Sequence, residues 1–138
     1  MLAAVTTREV TLLDLTSSRP STSASSIPIP VTSSNARCAA WSTDGVYLYV
    51  AWSHGEIFKY EKSGKSCGMV WKTDEASGPP IGLAIRDKNT IFVAYNSKVV
   101  AVDLTKKRPA VELLTVSELA VSLKRARLLK LSIYHLEL

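Results

Sequence analysis

Three segments of the sequence repeat one pattern, and the interval between them limits what the chain can fold into. The segments are residues 2–15 (LAAVTTREVTLLDL), 48–62 (LYVAWSHGEIFKYEK) and 91–104 (IFVAYNSKVVAVDL). Each is an apolar run, a polar turn and a second apolar run that ends near an acidic residue. When Ala4, Ala51 and Ala94 are taken as equivalent, the intervals are 47 and 43 residues. Periods of 20 to 50 residues are typical of proteins built from repeated structural units.

The repeat extends upstream of the hairpin. Residues 36–48 (ARCAAWSTDGVYL) match residues 79–91 (PPIGLAIRDKNTI) at the same offset of 43. Asp44-Gly45 and Asp87–Asn89 fall at the same place, and Asp, Asn and Gly favour turns because they accept left-handed backbone angles. The apolar runs are short and rich in Val, Ile, Tyr, Phe and Thr, which predicts strands rather than helices.

Four antiparallel strands in a unit of 43 to 47 residues predict an all-β fold, a partial β-propeller of four-stranded blades. Fourth strands are predicted at 67–71 and 110–116. The closing sequences LLDL, FKYE and AVDL resemble the end of the third strand in WD40 repeats, with Asp14, Glu61 and Asp103 at corresponding positions. The resemblance covers roughly residues 1–116, although Trp is absent at that position and the Gly-His pair that often opens a WD40 blade is missing.

The sequence holds about two and a half such units. Residues 1–15 predict a partial blade, and 36–72 and 80–116 predict two further blades. Residues 16–34 are rich in Ser, Thr and Pro and predict a loop or an edge strand. Closed propellers have four to eight blades. Three explanations stay open: a truncated piece of a larger propeller, which we favour; a ring completed by another chain; or a different small β arrangement.

The last segment, residues 117–138, departs from the repeat. It is rich in good helix formers, yet residues 129–136 alternate like a strand, so either structure is open. Residues 104–138 hold seven basic and three acidic side chains, whereas the rest of the chain is close to neutral. We interpret 117–138 as a basic amphipathic tail, and contact with a membrane or nucleic acid through it is an alternative function. A solvated helix face is the simpler interpretation of its charge.

The sequence predicts no catalytic, cofactor or metal site. SGKS at 63–66 lacks the glycine that a phosphate-binding loop needs at position 59, so we interpret Ser63-Gly64 as a turn between strands. His54 and His135 lie in different kinds of segment, and no Cys/His cluster supplies zinc ligands. No carboxylate pair or nucleophile motif stands out. An enzyme on a propeller scaffold is therefore the weaker alternative.

Cysteine usage and the amino terminus indicate an intracellular protein. Cys38 and Cys67 are too few for a disulfide framework, and we expect both thiols to be reduced and mostly buried. Trp41 and Trp52 fall inside strand runs and are expected in the core. The amino terminus lacks the features of a signal peptide, and no apolar run reaches about 20 residues. We expect a soluble protein of the cytoplasm or nucleus.

The resemblance to WD40 repeats implies a non-catalytic scaffold for protein–protein interaction within larger complexes. In such a fold the turns between the second and third strands of the blades lie on one rim, and loops on rigid sheets often carry function. We therefore predict that Arg8, His54 and Lys98 lie together and bind a protein partner. An acidic peptide or a subunit of a multi-subunit complex fits this role, and no cofactor is expected.

Overall fold

The structure is a computed structural model that consists of consecutive β-sheets. It describes residues 1–6, 8–14, 25–30, 35–73, 75–106 and 110–115, with the backbone alone for 75 and 110–114. Three antiparallel sheets follow one another along this part of the chain, so the prediction of an all-β fold is confirmed. No helix in the described ranges is long and apolar enough to cross a membrane. The predicted tail at 117–138 lies outside the described residues.

The first sheet has three strands in the order β1–β2–β3. They are β1 (Leu2–Val5), β2 (Val10–Leu13) and β3 (Ser25–Ile27). β3 lies within the Ser/Thr/Pro-rich segment and pairs with β2 as an edge strand. It ends before Pro28, which has no amide hydrogen to donate to a strand ladder. The first sheet therefore has three strands: two from residues 1–15 and a third, β3, from the Ser/Thr/Pro-rich segment.

The second and third sheets have four strands each, ordered along the sheet as along the chain. The second sheet contains β4 (Ala36–Trp41), β5 (Tyr47–Trp52), β6 (Glu56–Glu61) and β7 (Ser66–Lys72). The third contains β8 (Gly82–Ile85), β9 (Thr90–Ala94), β10 (Lys98–Asp103) and β11 (Ala110–Thr115). A 3₁₀ helix at Glu75–Ser77 lies between them. β7 and β11 confirm the predicted fourth strands.

The second sheet is covered on both faces, as β5 shows. Leu48, Val50 and Trp52 lie in a first core shared with the first sheet, whereas Tyr49 and Ala51 lie in a second core shared with the third sheet. The first core consists of Val10, Leu12, Ile27, Ala36, Leu48, Val50, Trp52 and Tyr60, and the second of Tyr49, Ala51, Ile57, Ile91, Val93, Tyr95, Val100 and Val102. Successive side chains of a strand point to opposite faces, so double burial explains the continuous apolar run.

The three sheets meet at their first strands. β1, β4 and β8 are each the edge strand of their own sheet, and β4 contacts both β1 and β8. The sheets therefore stack in chain order, with the second sheet between the other two.

The two predicted aspartate turns are present, and they join the first two strands of the second sheet (β4 and β5) and of the third sheet (β8 and β9). Asp44 Oδ1 accepts a hydrogen bond from Ser42 Oγ (2.5 Å), and Asp87 Oδ1 accepts one from the Asn89 amide (2.8 Å). These bonds are the main cause that lowers the pKa of each carboxyl below its ordinary value. Side-chain acceptors of this kind satisfy turn amides that have no ladder partner, which explains the choice of aspartate.

The two turns are expected to lose stabilisation in acid. The pKa of each carboxyl is lower in the folded chain, so its contribution is present above the unfolded pKa and is lost as the pH falls through the folded pKa. The double variant Asp44→Asn, Asp87→Asn keeps an oxygen acceptor but cannot titrate. Its urea midpoint should fall less steeply than that of the wild type between about pH 5 and pH 2. Equal slopes would show that other carboxyls govern acid stability.

The strand pairing shows that Ala4 is not the counterpart of Ala94. Val5 pairs with Val10 in the first sheet, and Ala94 pairs with Val99 in the third, so the two hairpins match at a constant offset of 89 residues. Val5 therefore corresponds to Ala94, and Ala4 lies on the opposite face of its sheet. The expected equivalence was wrong by one residue because turn length sets hairpin register, and matching alanine types alone does not.

The two cysteines differ in exposure. Both thiols are free, and Cys38 is half-buried beside the second core. Burial raises the pKa of the Cys38 thiol to about 11, against the opposing effect of the Arg37 charge. Cys67 is exposed, so the expectation of mostly buried thiols is wrong for this residue. It lies on β7, an edge strand whose pairing with β6 is interrupted by two register shifts.

Candidate functional site

The candidate site consists of three hairpin turns, one from each sheet. We call residues 6 and 8–9, 53–55 and 95–97 the rim turns; they lie between β1 and β2, β5 and β6, and β9 and β10. Arg8 and His54 lie within the first and second rim turns, and Lys98 follows the third as the first residue of β10. The structure thus places the three predicted binding residues at the same connection of successive sheets. Their grouping on one surface stays a prediction.

The first rim turn is closed by Thr6. The Thr6 amide donates to Glu9 O (2.9 Å), and Thr6 Oγ1 accepts from the amides of Arg8 (3.3 Å) and Glu9 (3.1 Å). The Glu9 carboxylate accepts from Thr11 Oγ1 (2.6 Å). These bonds hold the backbone at Thr6, Arg8 and Glu9, and the Arg8 side chain is exposed.

The second rim turn is tied to the chain on both sides. The Ser53 amide donates to Asn35 O (2.9 Å), just before β4, and the Thr73 amide donates to Gly55 O (3.0 Å), just after β7. Gly55 has a φ of +86°, a left-handed angle that favours glycine. These contacts hold the exposed His54 between two fixed neighbours.

The third rim turn repeats the closure of the first. The Tyr95 amide donates to Lys98 O (2.8 Å), as the Thr6 amide does to Glu9 O. Tyr95 is buried in the second core, and Lys98 is half-buried at the start of β10. The turn is therefore anchored by a core side chain and presents a lysine beside it.

Equivalent positions of the rim turns carry different charges. At the offset of 89 residues, Glu9 is the counterpart of Lys98, and Ser97 is the counterpart of Arg8. Arg8 and Lys98 therefore belong to the same kind of turn but not to the same position in it. Sequence reasoning missed Glu9, although the alignment of the two hairpins without a gap would have found it. The first rim turn thus carries both a basic and an acidic side chain, Arg8 and Glu9.

Two buried polar residues lie next to the second rim turn. Glu56, at 3% exposure, and Thr73, at 7%, are the buried polar side chains among the described residues. A Cβ atom placed on Gly55 would overlap Thr73 Oγ1, so the turn packs directly on Thr73. This contact could not be predicted from the sequence, because Thr73 is distant from Gly55 along the chain and glycine has no side chain that would indicate a packing partner. The hydrogen bond from the Thr73 amide and the close packing of Thr73 on Gly55 fix the conformation of the turn that carries His54.

The rim turns carry side chains that can bind a partner through charge and hydrogen bonds. In the part of the chain that the structure describes, no group of three or more His, Cys, Asp or Glu is placed to hold a metal ion. Ser63 and Gly64 form the turn between β6 and β7, as predicted, with the Gly64 amide donating to Glu61 O (2.9 Å). A strand follows this turn, whereas a phosphate-binding loop is followed by a helix.

Comparison with known proteins does not indicate a function for this chain, so the proposed function is argued from its own structure. No family model matches the sequence, and no curated protein matches it. The resemblance to WD40 repeats therefore stays a prediction from period and pattern.

Proposed function

We propose that the chain forms part of a WD40-like β-propeller and acts as a non-catalytic scaffold for protein–protein interaction. The observation that carries the proposal is the stack of three antiparallel sheets, which follow one another along the chain and meet at β1, β4 and β8. Propellers are built from such sheets, arranged as successive blades around an axis. The repeated hairpin register of the first and third sheets supports the same arrangement.

The rim turns supply the docking surface of the scaffold. Arg8 and Lys98 contribute positive charge, and His54 contributes a ring that donates and accepts hydrogen bonds. An acidic peptide, or an acidic face of a complex subunit, complements these groups. Glu9 lies beside Arg8 and disfavours ligands whose negative charge continues in that direction. The turns are held by strand pairing, so binding costs little ordering entropy.

Reversal of the two rim charges is expected to weaken partner binding. The double variant Arg8→Glu, Lys98→Glu replaces attraction by repulsion, and exposed ion pairs are each worth up to about 1 kcal/mol, so a loss of about tenfold or more in affinity is expected. Quantitative affinity capture with the full chain, followed by titration of each captured protein, measures the change. Captured partners with unaltered affinity would remove the rim turns from the proposal.

A matched control variant tests whether the effect depends on position. Lys62→Glu, Lys65→Glu makes the same charge change in the β6–β7 turn, where both lysines are exposed. In an antiparallel sheet this turn lies at the opposite end of the second sheet from the second rim turn. The control should retain its partners. A loss in the control equal to that of the rim variant would show that net charge, not the rim, governs capture.

A further inference from the structure

The third sheet has an apolar face turned away from the second sheet. We call this the open face; it consists of Gly82, Ala84, Phe92, Ala94, Val99 and Ala101. Residues that alternate with them, such as Ile91, Val93 and Val100, lie in the second core, so the open face is the opposite one. Ala84 is exposed and the others are half-buried. Strands of an antiparallel sheet with one solvated face usually alternate apolar residues on the core side with polar residues on the solvated side. At these six positions the open face is apolar, and the paired Thr90 and Asp103 at the strand ends form its polar margin among the described side chains.

Positions of the open face make sheet-to-sheet contacts elsewhere in the molecule. At the offset of 89 residues, the counterparts of Ala94, Val99 and Ala101 in the first sheet are Val5, Val10 and Leu12. These three side chains pack in or against the first core, between the first and second sheets. The open face therefore has the position and chemistry of a surface that receives another sheet.

The first sheet presents the complementary surface. We call Leu2, Ala4, Thr11 and Leu13 the outward face, because they alternate with the residues that meet the second sheet. Leu2 is 48% exposed. At the same offset, their counterparts in the third sheet are Ile91, Val93, Val100 and Val102, which are buried against the second sheet. The outward face of the first sheet thus corresponds to the face of the third sheet that packs on the second sheet.

We propose that two copies of this chain associate head to tail, with the open face of each on the outward face of the other. The contact continues the order already seen within one chain, in which each sheet packs on the next. Two such contacts in a two-fold pair arrange the three described sheets of each copy, six in all, in a ring, and closed propellers have four to eight. The proposal rests on the stacked sheets of the proposed function and does not involve the rim turns, which the charge reversal tests separately.

The mass of the full chain in solution tests the proposal directly. Light scattering after gel filtration, repeated over a range of protein concentrations, should give twice the chain mass of 15.0 kDa. A monomer at every concentration overturns the proposal and assigns the open face to a different occupant, such as a further sheet in a longer chain. A mass that keeps rising with concentration overturns the closed pair, because a head-to-tail contact that does not close forms filaments.

Two variants distinguish the head-to-tail contact from other pairings. Ala101→Glu places a charge on the open face, and Leu13→Glu places one on the outward face. Each variant alone should be monomeric, because each damages both contacts of the pair. An equal mixture should form a mixed dimer through the one contact whose two faces are both unaltered. If Leu13→Glu alone remained dimeric while Ala101→Glu did not, the open face would pair with itself and the proposal would fail.

A control variant separates the effect of position from that of charge. Ala76→Glu introduces the same side chain at an exposed position of the 3₁₀ helix, outside both faces. This variant should have the mass of the wild type. If the Ala76→Glu variant were monomeric, the assignment of the two faces would be overturned. Circular dichroism establishes that each variant is folded before its mass is interpreted. The wild-type mass decides the proposal even if a variant does not fold.

Discussion

Replacement of Trp52 by alanine is expected to lower the free energy of unfolding by about 3–5 kcal/mol. Trp52 has no exposed surface and packs in the first core between the first and second sheets. Alanine removes the indole ring and leaves a cavity, and packed sheets close such a cavity only in part. Ordinary domains have unfolding free energies of about 5–15 kcal/mol, so the loss is a large share of the total. Urea denaturation followed by circular dichroism measures it.

Two further variants show whether the loss comes from burial. Trp41 is half-buried on β4 and packs against the same core, so Trp41→Ala should cost less than Trp52→Ala. Trp52→Phe retains an aromatic ring at the buried position, and we expect a loss nearer to about 1.5 kcal/mol. A Trp41 loss equal to that of Trp52 would contradict the position of the core as described.

Replacement of Gly55 by alanine is expected to cost more than about 2 kcal/mol. A left-handed residue with a side chain costs roughly 1–2 kcal/mol by itself, and the φ of Gly55 is +86°. The new Cβ atom would also overlap Thr73 Oγ1, so the second rim turn must move. Overpacking of this kind commonly adds about 1–3 kcal/mol. Chemical denaturation of the variant and the wild type gives the difference.

Gly45 provides the matched control for backbone strain. Its φ is +68°, but a Cβ atom there would meet nothing within 4 Å. Gly45→Ala should therefore show the strain of about 1–2 kcal/mol without the steric overlap. In a Thr73→Ala background, the cost of Gly55→Ala should fall toward that of Gly45→Ala, as a double-mutant cycle would show. Equal costs for the two glycines in the wild-type background would contradict the contact with Thr73.

The sequence predicted the elements of the fold well because its signals were local. The Asp44 and Asp87 turns and the apolar runs each depend on neighbouring residues, and they appear as turns and strands in the structure. Trp41 and Trp52 were predicted in the core; the structure confirms this for Trp52, whereas Trp41 is half-buried and packs against the first core. The all-β class follows from these signals together.

The details that failed depend on contacts between distant residues. Ala4 was matched to Ala94 by residue type, whereas the register of the hairpin assigns Val5 to that position. Cys67 was expected to be mostly buried because cysteine usually is, but the exposure of an edge strand is decided by which sheets flank it. Neither property can be derived from residue types alone.

The candidate site was predicted only in part. Arg8, His54 and Lys98 do lie at the three corresponding connections. The groups that hold the second rim turn were not predicted, because the Asn35 carbonyl and the Thr73 amide bind it through backbone atoms, and such hydrogen bonds leave no trace in residue type. Their role appears only when the ends of β4 and β7 are placed beside the turn that carries His54.

The division of β5 between two cores couples the ends of the molecule. The first and third sheets belong to different cores, yet both cores include side chains of this one strand. A slip of β5 by a single residue would exchange Tyr49 for Val50 and Ala51 for Trp52, and neither core could accept the exchanged volumes. An error in this strand therefore disrupts both interfaces at once, and the middle sheet joins its neighbours into one cooperative folding unit.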